Sequence, residues 1–166
     1  MNKTVSTRLK AVTIESVIAS TAATLCVVVF EVPVWAMFVG WISYFTRGLN
    51  LKQGAVNLVC VLIGLVLGIS AAYCMAMLTP FLGDYAISVV VFAITVVTLS
   101  MGKARVFNNL LGFFLGLVTY FASHQPPSLE AFGMLALAAT MGAVAALGAH
   151  TAQKRIQASP RPEASV

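Results

Sequence analysis

The side chains in this sequence that could do chemistry are few, and they fall near the ends of apolar stretches. Glu15 follows Lys10 by five residues and Asn57 follows Lys52 by five; Asn109 follows Arg105 by four, and His150 precedes Lys154 by four. At a helical rise of about 1.5 Å per residue, these spacings put all four roughly 5–8 Å inside the boundary marked by the basic residues. A layer of this composition reads as a polar mouth, with groups that exchange hydrogen bonds with water or a neutral solute. The plainer reading draws Glu15 to the interface beside Arg8 or Lys10 and leaves the asparagines to satisfy helix ends. Glu15 is the only acid inside an apolar run. A carboxylate at that depth needs a cation or several donors. Lys103, Arg105 and Asn109 sit at similar depth, so Glu15 is expected to tie the first helix to the fifth.

Other chemistries find little support. Deeper in the apolar runs the polar groups are hydroxyls, including Ser20, Thr21, Thr24, Thr95, Thr98 and Thr119. Helical Ser and Thr bond their own i−4 carbonyl and need no ligand. No run has a central Asp, Lys or Arg, which disfavours a proton pump or an ion-coupled site. His124 and His150 are expected at opposite faces of the membrane. No Ser/His/Asp set, HExxH or deep carboxylate pair is present. Neither an enzyme, a cofactor nor a metal site is expected. Cys26, Cys60 and Cys74 lie within apolar runs without CxxC or Cys/His spacing and read as small buried packing residues.

The elements that must position the polar layer are apolar. Of 166 residues, 60% are hydrophobic and 9% charged, against about a quarter charged in soluble domains. So small a soluble chain could not hide that surface, and lipid is the expected solvent. Six runs can be drawn: Ala11–Phe30, Val34–Phe45, Ala55–Leu78, Tyr85–Met101, Val106–Ser123 and Ala131–Ala149. The expected fold is all-α, a bundle of six transmembrane helices over residues 11–150, with a cytoplasmic segment at 1–10 and a cytoplasmic, disordered tail at 151–166. The first run is too long for a signal h-region, and Phe30-Glu31-Val32-Pro33 is no small-residue cleavage site.

The net charge of +5 does not indicate nucleic acid, because the basic residues fall between apolar runs. With six spans and both termini inside, every Lys and Arg is cytoplasmic, while Glu31, Asp84 and Glu130 face out. The second run is short, at about 18 Å. Were it not to cross, seven basic residues would face outward. Local thinning and interfacial Trp35, Trp41 and Tyr44 can accommodate a short helix. Pro33 suits its first turn.

Two GxxxG motifs, Gly64/Gly68 and Gly112/Gly116, permit close helix approach. They read first as packing within the bundle and second as a face for a homo-oligomer. Each follows a short apolar run, a glycine, two basic residues and an asparagine. Runs two-three and four-five therefore read as repeated hairpins in one orientation.

The stretch Pro33-x-Trp35-x-x-Phe38-x-Gly40-Trp41-x-x-Tyr44-Phe45, followed by Gly48 and the glycine-rich third run, resembles the YcdZ-like bacterial inner-membrane proteins. Length and layout are similar over about Lys10 to Ala149. The resemblance implies the bacterial cytoplasmic membrane and carries no activity. The leading functional expectation is a channel or facilitator for a small neutral solute, with the bilayer as its surroundings. The competing one is a scaffold or accessory protein docking partner helices on the GxxxG faces.

Overall fold

In the computed structural model, residues 3–158 are described. Six α-helices follow one another: α1 (Lys3–Val28), α2 (Val34–Phe45), α3 (Leu51–Leu82), α4 (Ala86–Met101), α5 (Leu110–Ala122) and α6 (Leu129–Ala158), with one 3-10 turn at Gly83–Tyr85 between α3 and α4. Among the described residues there are no strands. Three stretches are long and apolar enough to cross a membrane: Arg8–Val28, the α3–α4 stretch Leu51–Met101, and Leu129–Ile156. The helices α2 and α5 are shorter, with 12 and 13 residues. Their lengths of about 18 and 20 Å fall short of a ~30 Å hydrocarbon core.

Several boundaries differ from the apolar runs. Val106–Asn109 is not helical, and α5 starts only where Asn109 caps it by accepting from the Gly112 N–H. The helix α6 runs past Ala149 to Ala158, so residues 151–158 are helical and not a disordered tail. The rest of that tail lies outside the described residues. Likewise α1 begins at Lys3, inside the expected N-terminal segment.

Packing rests on two close helix pairs. A Cβ added at Gly64 would overlap the Phe113 carbonyl, and one at Gly116 would overlap the Val61 carbonyl and stand 2.7 Å from the Gly64 Cα. Asn57 meets Asn109, and the Tyr120 Cβ lies 2.9 Å from a Cβ built on Gly68. Contacts thus ascend both chains together, so α3 and α5 run parallel. The second pair, α2 and α6, repeats this. A Cβ on Gly40 would overlap the Ala139 carbonyl, and one on Gly142 the Met37 carbonyl.

The two pairs are copies. Aligned on Gly40 and Gly116, Phe-Val-Gly-Trp-Ile-Ser-Tyr-Phe of α2 matches Phe-Leu-Gly-Leu-Val-Thr-Tyr-Phe of α5. Aligned on Gly64 and Gly142, the buried stripe of α3 (Asn57, Cys60, Val61, Gly64, Leu65, Gly68, Ala71) falls position by position on buried Leu135, Ala138, Ala139, Gly142, Ala143, Ala146 and Ala149 of α6. Asn50 and Ser128 cap the two long helices alike, accepting from Gln53 N–H and Ala131 N–H. Gly48 and His124, in the matching loops, share positive φ values of 63° and 52°. Among the described residues every α-helix contact has its counterpart: α1 packs on α6 as α4 packs on α3, and neither α1 nor α4 touches the other's partner.

The repeat is therefore α1–α3 against α4–α6, and not the expected hairpins two-three and four-five. Tyr44 lies beside Gly54 near the start of α3, while Val32 and Met37 share the core with Leu65 further along. This makes α2 antiparallel to α3. With α5 parallel to α3 and α6 parallel to α2, the halves are inverted relative to each other, about an approximate two-fold axis across the helices.

Candidate two-ended solute site

An inverted repeat has two equivalent ends, and here their side chains differ. At one end the α2–α3 loop meets the start of α5. Asn109 donates to Thr46 Oγ1 at 2.6 Å and to Asn57 Oδ1 at 2.8 Å, and Asn57 Nδ2 donates to the Arg47 carbonyl at 2.8 Å. The Arg47 guanidinium donates to Asn108 Oδ1 at 2.6 Å. Asn57 and Asn109 are buried, so their mutual bond is made away from competing water, whereas the Arg47–Asn108 bond is exposed. Together these bonds tie three helix ends into a polar seal.

The same place at the opposite end is open. There a cavity of about 490 Å³ is lined by Glu31, Pro33, Trp35, Ser123, Gln125 and Met134, among others. By the repeat alignment Pro33 matches Asn109, Val32 matches Asn108, Ser123 matches Arg47, and Leu135 matches Asn57. The residues that tie the first end have no bonding equivalents at the second. Pro33 caps α2 with φ −69° and no side-chain bond.

The expected polar layer is only half assembled. Asn57 and Asn109 touch. Glu15 is half-buried on the α1 face against α6, where it accepts from Gln153 Nε2 at 3.2 Å. The expected tie to Lys103, Arg105 or Asn109 is not made, because among the described residues α1 and α5 have no contact. His150 makes no hydrogen bond to the asparagines; its ring lies 5.9 Å from Tyr44 and 6.5 Å from Phe45. Tyr44 is fully buried and is not an interfacial anchor. Of the cysteines, Cys74 is exposed, against expectation, while Cys26 and Cys60 are buried. Thr21, Thr24, Thr98 and Thr119 bond their own helix carbonyls.

The sealed end also holds polar atoms without partners. Tyr44 Oη, Gln53 Oε1 and His150 Nε2 are buried and unbonded. Tyr44 and His150 share one neighbourhood, with the Tyr44 ring packed on Gly54 and against His150, while the Gln53 side chain, at the start of the same helix as Gly54, packs on Gly48. A dry unbonded group costs about 1–3 kcal/mol. Sequence reading missed this set, and Tyr44 in the α2/α5 octapeptide match was the signal that could have found it. The four motif glycines point at the opposing helix within the chain, Gly64, Gly112 and Gly116 against backbone or Cβ atoms and Gly68 against Tyr120.

Among the described residues, no three His, Cys, Asp or Glu side chains gather as metal ligands. Outward faces are strongly apolar, with Phe92 72% and Phe81 84% exposed. Surfaces of this kind on long apolar helices define a small all-helical membrane protein. The chain belongs to the family described as "Protein of unknown function (DUF1097)", whose model matches residues 11–150. No curated protein and no solved structure matches it.

Proposed function

We propose that this protein is a facilitator for a small solute in a bacterial cytoplasmic membrane, working by alternating access and not as an open pore. All six helices would cross, with both termini in the cytoplasm, as the basic residues demand. The parallel pairing of α3 with α5 and of α2 with α6 fits alternate crossing directions. Inverted repeats with the solute site at their interface are a recurrent transporter design. The observation that carries the reading is the difference between symmetry-related ends, one tied by Asn57, Asn109, Arg47 and Asn108, the other open at the Glu31 vestibule.

The sealing bonds are of the right size for a switch. Four hydrogen bonds at about 0.5–1.5 kcal/mol each come to a few kcal/mol. A gap of that size keeps a second state sparsely populated but reachable. Opening the seal would also hydrate Tyr44, Gln53 and His150. Closing the vestibule would bring α2 and the end of α5 together as their counterparts are now. The scaffold alternative rests on free GxxxG faces, whereas these glycines are used within the chain.

Proteoliposomes test the proposal with a panel of small neutral and charged solutes. Saturable flux of at least one solute, well above that of protein-free vesicles, is the expected result. Flux no greater than the empty vesicles across the panel would overturn it.

A further inference from the structure

We infer that the vestibule binds a small monovalent organic cation, a primary amine or quaternary ammonium, with Glu31 as its counter-charge. The inference rests on the reading of the vestibule as the open solute site and names the chemistry it selects. None of the residues lining the cavity is Lys, Arg or His, and Glu31 is the only charged one. The last turn of α5 adds to this, since its C-terminal end, at Ser123, borders the same cavity. A helix C-terminus carries partial negative charge and favours cations.

Glu31 has a backbone that its side chain does not suit. Its φ is +52°, in the left-handed region that favours glycine. Val32 N–H closes this turn on the Cys26 carbonyl at 2.9 Å. For the turn alone glycine would be the cheaper residue. Strain of this kind, at the rim of a cavity, is where functional constraint is often found.

The other lining groups fit the same class. Trp35 is 39% exposed and borders the cavity, offering an aromatic face to a cation. Val27, Pro33 and Met134 give apolar wall for the substituents of an amine. One carboxylate without further acidic ligands suits a single positive charge and is poor for a divalent ion, which takes six or more oxygens. At about 490 Å³ the cavity lies within the usual range for small ligands. An ammonium group could arrive on a free solute or on a phosphatidylethanolamine headgroup. The recognition is the same in both.

The test uses full-length protein carrying Trp41→Phe, which leaves Trp35 as its only tryptophan. Choline is titrated into nanodiscs of phosphatidylglycerol and followed by tryptophan emission. Its neutral isostere 3,3-dimethyl-1-butanol is the control. Saturable choline binding is expected, with the isostere at least tenfold weaker. Glu31→Asp should retain binding and Glu31→Gln should weaken it at least tenfold. Glu31→Gly should lose binding in the same way while its melting temperature holds or rises, which separates the charge from the turn. Phosphatidylethanolamine in the discs competes with choline if the headgroup is the source and leaves it unchanged if the source is a free solute.

Equal binding of the isostere, or unchanged choline binding in Glu31→Gln, overturns the inference. Choline binding without flux of any solute removes the transport reading alone. Flux of a neutral solute without choline binding removes the cation inference alone.

Discussion

Replacing Gly116 by alanine should separate α3 from α5. The added Cβ would overlap the Val61 carbonyl and stand 2.7 Å from both the Gly64 Cα and the Leu65 nitrogen. Ordinary contact needs about 3.4 Å or more, so relief requires the helices to part by roughly an ångström. All three obstacles are backbone atoms, which cannot rotate away. Overpacking of this kind costs about 1–3 kcal/mol, offset by up to ~1 kcal/mol of helix propensity gained over glycine. For a chain of this size each kcal/mol moves Tm by about 2–4 °C. With three backbone obstacles the cost should fall at the top of that range, a net of about 2 kcal/mol, so Gly116→Ala should lower Tm by about 4–8 °C in detergent, read by tryptophan emission on heating. Because Gly40 faces the Ala139 carbonyl in the same way, Gly40→Ala should cost a similar amount. Gly133 and Gly148 have nothing within 4 Å of an added Cβ, and alanine there should be neutral or slightly stabilising. Equal melting points for Gly116→Ala and Gly133→Ala would refute the packing argument. A large cost at Gly116 with none at Gly40 would refute the repeat.

Asn109→Ala removes a helix cap and leaves Asn57 short of a partner, so it should cost about 2–3 kcal/mol in chemical denaturation. Adding Asn57→Leu, the residue its counterpart Leu135 already is, should recover part of that loss, and strict additivity would deny the coupling. Glu15→Gln should be neutral in Tm, since the half-buried Glu15 meets a neutral donor, Gln153. Glu15→Leu should lose under ~1 kcal/mol, and a larger loss would restore a deep charged partner. A reporter active only in the cytoplasm should work when fused after Thr151 or within Gly48–Gln53 and stay silent at Asp84 or Pro127. Activity at Asp84 would mean that α2 does not cross.

The helical class was legible because sixty per cent apolar content leaves no other solvent than lipid. The glycine positions were legible too, since only missing side chains allow backbones to meet. Spacing carries an expected depth along a helix but no direction around it. Glu15 and Asn109 have similar expected depths, yet α1 and α5 make no contact among the described residues. Spacing from the nearest basic residue gives height, while neighbours depend on which helices pair. The repeat was mis-phased for a related reason. The glycine spacing of α3 and α5 is alike because the two helices are each other's partners, while their copies are α6 and α2. The octapeptide match carries the correct phase, with identical Phe, Gly, Tyr and Phe. The vestibule was invisible in sequence, because Glu31 read as an outer-loop charge.

Alternating access is tested most directly by measuring both ends of the repeat in one experiment. Cys60 is fully buried behind the seal, next to Gly112 and Asn57, while Met134 borders the vestibule. Protein carrying Met134→Cys, Cys26→Ser and Cys74→Ser is reconstituted and labelled with an impermeant thiol reagent from each side. As it stands, position 134 should label quickly from the outside and Cys60 slowly from the inside. Breaking the seal with Asn109→Ala should raise the inner rate at Cys60 and lower the outer rate at 134 together. If both rates rise, or the outer rate does not move while Cys60 opens, the two ends are not coupled and alternating access is contradicted.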